Sequence, residues 1–327
     1  MHSIQFILSQ PSWYLLVFLL GLLSLTRLSV FLLNSIYTLL LRPGKNLRRY
    51  GKWATVTGPT SGIGQSLAFE LAKNGMNLIL VGRNTDKLEQ VKMEICGQYE
   101  SIKIKTVLFD LSGDLAIGVE NLREAIHGLD VGVLVNNAGI AEPSATYFHE
   151  ADIDSWIKMV RVNLEAVAEI THTVLPLMLK RKKGAIVNIG SGSSVVIPSY
   201  PLYATYAATK AFVAQFSQSL YVEYRSQGID VQCQIPLYVS TKMTSGIFKK
   251  KRSSLTIPDS DTYARAAIRC IGYDRISMPA MGHFLLWCFV SLLPDFHNNS
   301  NMLKSNLKHR EIMRRRRERK NISTTAD

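Results

Sequence analysis

Cysteine is scarce in this chain. Its 327 residues hold four, Cys96, Cys233, Cys270 and Cys288, widely separated and without a CxxC pair or a Cys/His cluster. That spacing excludes a disulfide scaffold and a zinc site and fits a reducing compartment; no metal is expected. Acidic residues are also few, 25 against 38 lysines and arginines, for a formal net charge of +13. Such a charge marks a nucleic-acid binder only where a recognition module accompanies it, and none does, so no nucleic-acid partner is expected. Nine of the basic residues instead crowd the stretch from Lys304 to Lys320, against Glu311 and Glu318, which reads as a solvated or membrane-facing tail. There is no internal repeat and no sign of a second soluble domain. Two glycosylation triplets, Asn298-Asn299-Ser300 and Asn321-Ile322-Ser323, matter only if that end faces a lumen.

Charge is missing most completely near the N-terminus. From Trp13 to Leu41 the chain is almost entirely apolar, interrupted by Arg27. A bilayer is crossed by about 20 residues, so this run suits one tilted span or two short segments hinged near Arg27. No lysine or arginine precedes it and it exceeds a signal core, which argues for a permanent anchor over a cleaved signal. Arg42, Lys45, Arg48, Arg49 and Lys52 follow at once, and the positive-inside bias puts that flank and the rest of the chain in the cytosol.

Beyond the anchor, strand and helix patterns alternate. Strands are expected at Ala54–Thr57, "MNLILVGR", "IKIKTVLFDL", "VGVLVNNAG", Ala185–Ile189 and Ile229–Ile235. Helices are expected at Gln65–Lys73, "KLEQVKMEICGQY", "GVENLREAI", Trp156–Met178, Tyr206 to about Tyr224, and from near Ser260. That alternation, at βαβ spacing, implies an α/β fold with a parallel sheet covered on both faces. The later run "MGHFLLWCFVSLLP" is shorter than a comfortable span, and core helix, interfacial helix and wall of a greasy channel all stay open for it.

The first βα turn is "TGPTSGIG", with Gly58, Gly62 and Gly64 directly after a strand and before a helix. Glycine there admits a pyrophosphate, and the helix N-terminus offers it amides, with Ser61 and Ile63 in the same turn. The spacing is G-x-x-x-G-x-G and not G-x-G-x-x-G. Arg83 stands at the tip of the second strand, where an acid would accept ribose hydroxyls and a base accommodates a 2′-phosphate; NADP(H) is therefore expected over NAD(H). Asp86 is read as the cap of the next helix. Asp110 after the third strand, and Asn137, Ala138 and Gly139 after the fourth, suit walls around the adenosine and nicotinamide.

Tyr206 and Lys210, four apart, share one face of a helix. A phenol titrates near pH 10, and a neighbouring ammonium, with the positive nicotinamide, favours the phenolate and brings proton transfer into range. Hydride delivery to a ketone needs such a donor at the oxygen, and a serine hydroxyl can supply the second hydrogen bond. Tyr200 and Tyr203 lack that placement and read as loop or pocket-wall residues.

Together TGxxxGxG, NNAG, Asn163 in "VNLEA", a serine after the fifth strand and YxxxK resemble the short-chain dehydrogenase/reductase family over roughly residues 51–237. "PSYPLYATYAATKAFVAQFSQSLYVEY", "GIDVQCQIPLYVSTKM" and the anchor are most similar to its membrane-bound branch of very-long-chain 3-oxoacyl-CoA reductases and 17-beta-hydroxysteroid dehydrogenases. The resemblance implies a doubly wound, Rossmann-type sheet behind an N-terminal membrane anchor. Residues 1–50 would be anchor and basic linker, 51–275 the NADP(H)-binding reductase domain, and 276–327 an apolar segment and basic tail. It implies an enzyme of the endoplasmic reticulum membrane, facing the cytosol, that uses NADPH to reduce long-chain 3-oxoacyl-CoA beside other elongation-cycle enzymes. A hydroxysteroid or sterol dehydrogenase, and a catalytically weak scaffold, are the rival readings.

By the same resemblance Tyr206 is the general acid, Lys210 lowers its pKa and binds the nicotinamide ribose, and Asn163 helps hold a relay water. Pro236, Val239 and Thr241 lie in the segment that closes over nicotinamide, here "PLYVST" in place of the commoner proline–glycine pattern. Counting back from the tyrosine selects Ser193 as the serine, whereas matching "NIGSG" from the strand selects Ser191. A strand end is fixed and a loop lengthens cheaply, so Ser191 is preferred. Phe284–Leu293 would help form an acyl tunnel, and Lys249, Lys250, Lys251 and Arg252 would attract CoA phosphates.

Overall fold

The computed structural model describes residues 12–241, 243–244 and 254–324. Two compact units divide the chain, one ending at Pro43 and the other starting at Gly44. In the first, α1 (Ser12–Ile36) passes through Arg27 without a break and is followed by a π-helical turn at Tyr37–Leu41. Its Trp13–Ile36 stretch is long and apolar enough to cross a membrane, and none of it is buried. Arg27 is accordingly no hinge.

The second unit is built on a seven-stranded sheet of order β3-β2-β1-β4-β5-β6-β7, parallel throughout. Its strands are β1 (Trp53–Thr57), β2 (Asn77–Gly82), β3 (Ile104–Leu108), β4 (Val131–Asn136), β5 (Gly184–Ile189), β6 (Ile229–Gln234) and β7 (Ile276–Ser277). Every residue of β4 and β5 is buried, as expected of strands covered on both faces. One face is packed by α2 (Gly62–Lys73), α3 (Thr85–Gln98) and α9 (Ser260–Cys270), through Leu71, Ile95 and Tyr263 among others. On the other lie α4 (Leu115–Ile126), α6 (Ala166–Arg181) and α8 (Ala204–Tyr224), with Leu122, Ile170 and Leu220 in that core. The strand order reverses between β1 and β4, and at that switch point the carboxyl ends of the strands open a crevice.

The doubly wound, Rossmann-type sheet matches the expectation, with local differences. The helix expected at Trp156–Met178 runs from α5 (Ile153–Val160) to α6 through a π turn at Arg161–Glu165, which contains Asn163. Asn84, whose Oδ1 accepts from Lys87 N at 2.8 Å, caps α3, so Asp86 is not the cap but a first-turn residue. The seventh strand is too short to read from a pattern.

Residues 281–291 and 295–324 are helical as well. α10 (Met281–Ser291) turns Phe284, Trp287 and Val290 onto a core cluster with Val213 and Met278, while Leu285, Phe289 and Leu292 stay exposed. The run is thus core on one face and apolar surface on the other. α11 (Asp295–Thr324) takes up the basic tail, and its first half is fastened to the domain. Asn298 donates to Val290 O and Leu293 O at 3.1 and 3.2 Å, so that sequon's side chain is spent inside the fold. Lys249, Lys250, Lys251 and Arg252 lie outside the described residues.

Candidate active site

The glycine turn at the end of β1 is a cradle. Gly58 sits at φ +65 and Gly62 at φ +59, backbone that side-chain-bearing residues rarely adopt. A Cβ on Gly64 would lie 2.2 Å from Asn137 Nδ2 and 2.3 Å from Gly58 O, so that position admits only glycine without movement. Ser61 precedes α2 but makes no side-chain cap, which leaves the first amides of the helix open to an anion. Asn137 ties β4 to the turn, donating from Nδ2 to Thr57 O at 3.0 Å and Gly58 O at 3.2 Å. Thr57 Oγ1 in turn accepts from the backbone N–H groups of Asn137 and Ala138, each at 3.0 Å.

Arg83 and Asp110 stand just past the ends of β2 and β3, adjacent strands. Arg83 is exposed. Partial burial raises the Asp110 carboxyl, but hydrogen bonds from Ser112 N and Oγ and the charge of Arg83 outweigh it and hold it below its ordinary range. Glycine cradle, uncapped helix start and exposed arginine fit a dinucleotide bearing a 2′-phosphate.

The far wall of the crevice is "PLYVST". Pro236 O accepts from Gly192 N at 2.9 Å, Val239 is buried, and Val239 O accepts from Thr244 Oγ1 at 2.7 Å. Thr241 stands opposite the glycine turn: its Cγ2 is 3.2 Å from where a Gly62 Cβ would be. His283 of α10 holds this segment, accepting from Leu237 N at 3.3 Å through Nδ1 and meeting Tyr238 O at 3.2 Å through Nε2. Nothing in the sequence pattern singled out His283; a lone histidine in an apolar run looks like packing.

Beyond the cradle, α8 brings Tyr206 and Lys210 to the end of β5. Lys210 is buried, donates to Ile189 O at 2.8 Å, and has Nζ 6.0 Å from the Tyr206 ring centre. Burial pushes its ammonium down to about 8. Burial likewise raises the Tyr206 phenol; a hydrogen bond from Ser191 draws it down and the charge of Glu142 pushes it up. In this arrangement desolvation, and not the lysine, dominates the phenol.

The two serines are bonded to each other. Ser191 Oγ accepts from Ser193 N at 3.2 Å and from Ser193 Oγ at 3.0 Å. Those two bonds occupy its lone pairs and leave its own proton free to donate. Ser193 orients Ser191.

Asn163, fully buried on the π turn, pins the segment after β4: its Oδ1 accepts from Ile140 N at 2.9 Å and its Nδ2 donates to Ile140 O at 2.8 Å. Its Nδ2 also reaches Thr209 Oγ1 at 3.1 Å, on α8. A Cβ on Gly139 would sit 3.3 Å from Asn163 Oδ1 and 3.4 Å from Lys210 Nζ, so the glycine keeps the space between them open.

α11 closes over the loop that leads into Tyr206. Tyr203 Oη meets His309 Nδ1 at 2.7 Å, Asn306 donates to Pro201 O at 2.7 Å, and Ser199 donates to Asn299 at 2.6 Å. Arg310 forks onto Glu150 at 2.5 and 3.0 Å and covers the Tyr147 ring. Tyr200 and Tyr203 stack with ring centres 5.0 Å apart, as loop residues beside Tyr206.

Comparison with known proteins agrees with this fold. The family described as short chain dehydrogenase matches residues 52–252. A very-long-chain 3-oxoacyl-CoA reductase-like protein of Arabidopsis thaliana is 48% identical over 306 residues, covering 93% of this chain and 97% of that protein. The human inactive hydroxysteroid dehydrogenase-like protein 1 is 38% identical, covering 76% of this chain and 74% of its own. Among solved structures, a short-chain dehydrogenase from Sphingobium yanoikuyae in complex with NADPH superposes with TM-score 0.61 at 25% identity, over 73% of this chain and 92% of that one.

Proposed function

The chain belongs to the short-chain dehydrogenase family and is an oxidoreductase, and from that premise we propose that it reduces very-long-chain 3-oxoacyl-CoA to 3-hydroxyacyl-CoA with NADPH. The observation that carries the reading is the buried Lys210, donating to Ile189 O at the end of β5 with its Nζ 6.0 Å from the Tyr206 ring centre, on the sheet edge that also bears the glycine cradle. Gly58, Ser61, Gly62, Ile63 and Gly64 would hold the pyrophosphate, Arg83 the 2′-phosphate, and Asp110, Asn137, Ala138 and Gly139 the adenosine and nicotinamide walls. Pro236, Val239 and Thr241 would close over the nicotinamide. When bound, NADPH supplies the hydride that reaches the 3-oxo carbon.

Tyr206 gives its phenolic proton to the carbonyl oxygen as the C=O π bond becomes C–H and O–H. Ser191 donates the second hydrogen bond to that oxygen, where charge develops. The Lys210 ammonium stabilises the resulting phenolate, and a proton from solvent restores the phenol. Asn163 keeps the residue 139–140 segment and α8 at a fixed separation, so that cofactor wall and acid stay in register.

The α1 helix would anchor the enzyme in the endoplasmic reticulum membrane with the basic flank and the Gly44-led unit in the cytosol, beside other elongation enzymes. Likeness to a protein named inactive favours a second reading, a catalytically weak scaffold of an elongation complex. Rescue of an elongation-deficient cell separates the two. Wild type rescues and Tyr206→Phe does not if the chain works as the reductase; equal rescue by both supports the scaffold. Reduction of a keto-steroid in preference to the acyl-CoA would move the assignment to hydroxysteroid chemistry.

A further inference from the structure

Glu142 belongs to none of the motifs above. It lies on the loop after β4, and its Oε1 accepts from the backbone N–H of Tyr206 at 3.4 Å. Tyr206 is in the first turn of α8, where helix amides lack partners, and Tyr203 ahead of that helix supplies no side-chain cap. Glu142 therefore caps α8 from another part of the chain. Its second oxygen, Oε2, is buried and has no hydrogen-bond partner among the described residues. An oxygen left dry is costly for a carboxylate and less so for an amide or an apolar group, so capping alone does not account for an acid here.

We propose that Glu142 is a positioning residue for Tyr206: its carboxylate fixes the first turn of α8 through the Tyr206 amide and brings its charge next to that residue. The site then keeps the proton it donates in reduction and is handicapped in the reverse oxidation. Other groups facing the phenol come from several elements: Ser191 past β5, Tyr238 past β6, Tyr200 before α8, and Lys210 on α8 itself. Glu142 also adds to the raising of the Tyr203 phenol, behind burial and Tyr238. Burial raises the Glu142 carboxyl, and hydrogen bonds from its own N–H and that of Tyr206 draw it back.

The proposal rests on the reading of Tyr206 as the acid, and the test separates the two. The full chain in detergent is assayed across pH in both directions, 3-oxoacyl-CoA with NADPH and 3-hydroxyacyl-CoA with NADP⁺. Glu142→Gln keeps an oxygen for the Tyr206 amide and removes the charge; Glu142→Ala removes both. In each variant the tyrosine-dependent limb is expected to move down by roughly one pH unit, about a tenfold gain in oxidative turnover below the limb. The melting temperature of Glu142→Gln relative to wild type should also rise from acid to neutral pH. A carboxyl raised in the folded state favours folding when protonated and loses that advantage as pH climbs through its folded value.

A limb that stays in place in Glu142→Gln, with Tyr206→Phe inert, overturns the role of Glu142 alone. Retained turnover in Tyr206→Phe overturns the assignment of Tyr206 and this proposal with it.

Discussion

Lys210 lets the electrostatic cost of the site be measured without any substrate. Its ammonium is buried with one hydrogen bond among the described residues, to Ile189 O, and burial brings it from an ordinary 10.5 to about 8. The unfolded chain thus binds this proton more tightly than the folded one. The folded state carries the full penalty below about pH 8 and recovers it as pH rises towards 10.5. From those two values the stability of wild type should climb by roughly 2–3 kcal/mol between pH 7 and pH 10 on account of this group. Lys210→Met removes the titration and, at every pH alike, the hydrogen bond to Ile189 O, so the pH-dependent part stands out in the difference between the two proteins. Denaturant unfolding of both proteins in detergent at the two pH values gives the number. Lys210→Met should be inactive yet gain on wild type at pH 7 relative to pH 10. A difference between the two proteins that does not change with pH would refute the claim that the site holds a destabilised lysine.

Three further outcomes follow from the same geometry. Ser191→Ala should lose about 100-fold or more in turnover at saturating NADPH, and Ser193→Ala distinctly less, because one hydroxyl meets the substrate oxygen and the other only orients it; equal losses would contradict the assignment. Arg83→Asp should reverse the NADPH/NADH preference in measured binding constants, by about 1.5–3 kcal/mol for the lost charge-assisted contact. Gly64→Ala, whose Cβ would strike Asn137 Nδ2 and Gly58 O, should weaken NADPH binding and lower stability by about 2–4 kcal/mol in thermal or urea unfolding.

Much of the catalytic half is local, and local features read well from sequence. Val131–Asn136 and Gly184–Ile189 are continuous apolar runs because both sheet faces are covered. The glycine turn and the Tyr206–Lys210 pair occupy fixed offsets from strand and helix ends. The buried ladder Asn136–Asn188–Ser217 was less visible: each residue is an ordinary polar exception until parallel register sets Asn136 beside Asn188.

What the sequence hid are contacts between distant segments made by single polar side chains. His309 reaches Tyr203, Arg310 reaches Glu150, His283 holds Leu237, and Glu142 caps Tyr206. None of these leaves a periodic trace. The tail's charge run reads as a solvated stretch because its docking residues, Asn299, Asn306 and His309, are polar and carry no apolar stripe. The preference for Ser191 rests on a local feature, the end of β5 at Ile189, and Ser191 follows it two residues on, as the N-cap of the turn Gly192–Val195.

The most direct test of the central claim is turnover of purified full-length chain in detergent with a very-long-chain 3-oxoacyl-CoA and NADPH, wild type beside Tyr206→Phe. The expected result is one 3-hydroxyacyl-CoA formed per NADPH consumed, with a loss of about 100-fold or more in the variant. Absence of 3-hydroxyacyl-CoA from the wild type, or equal turnover by both proteins, would contradict it.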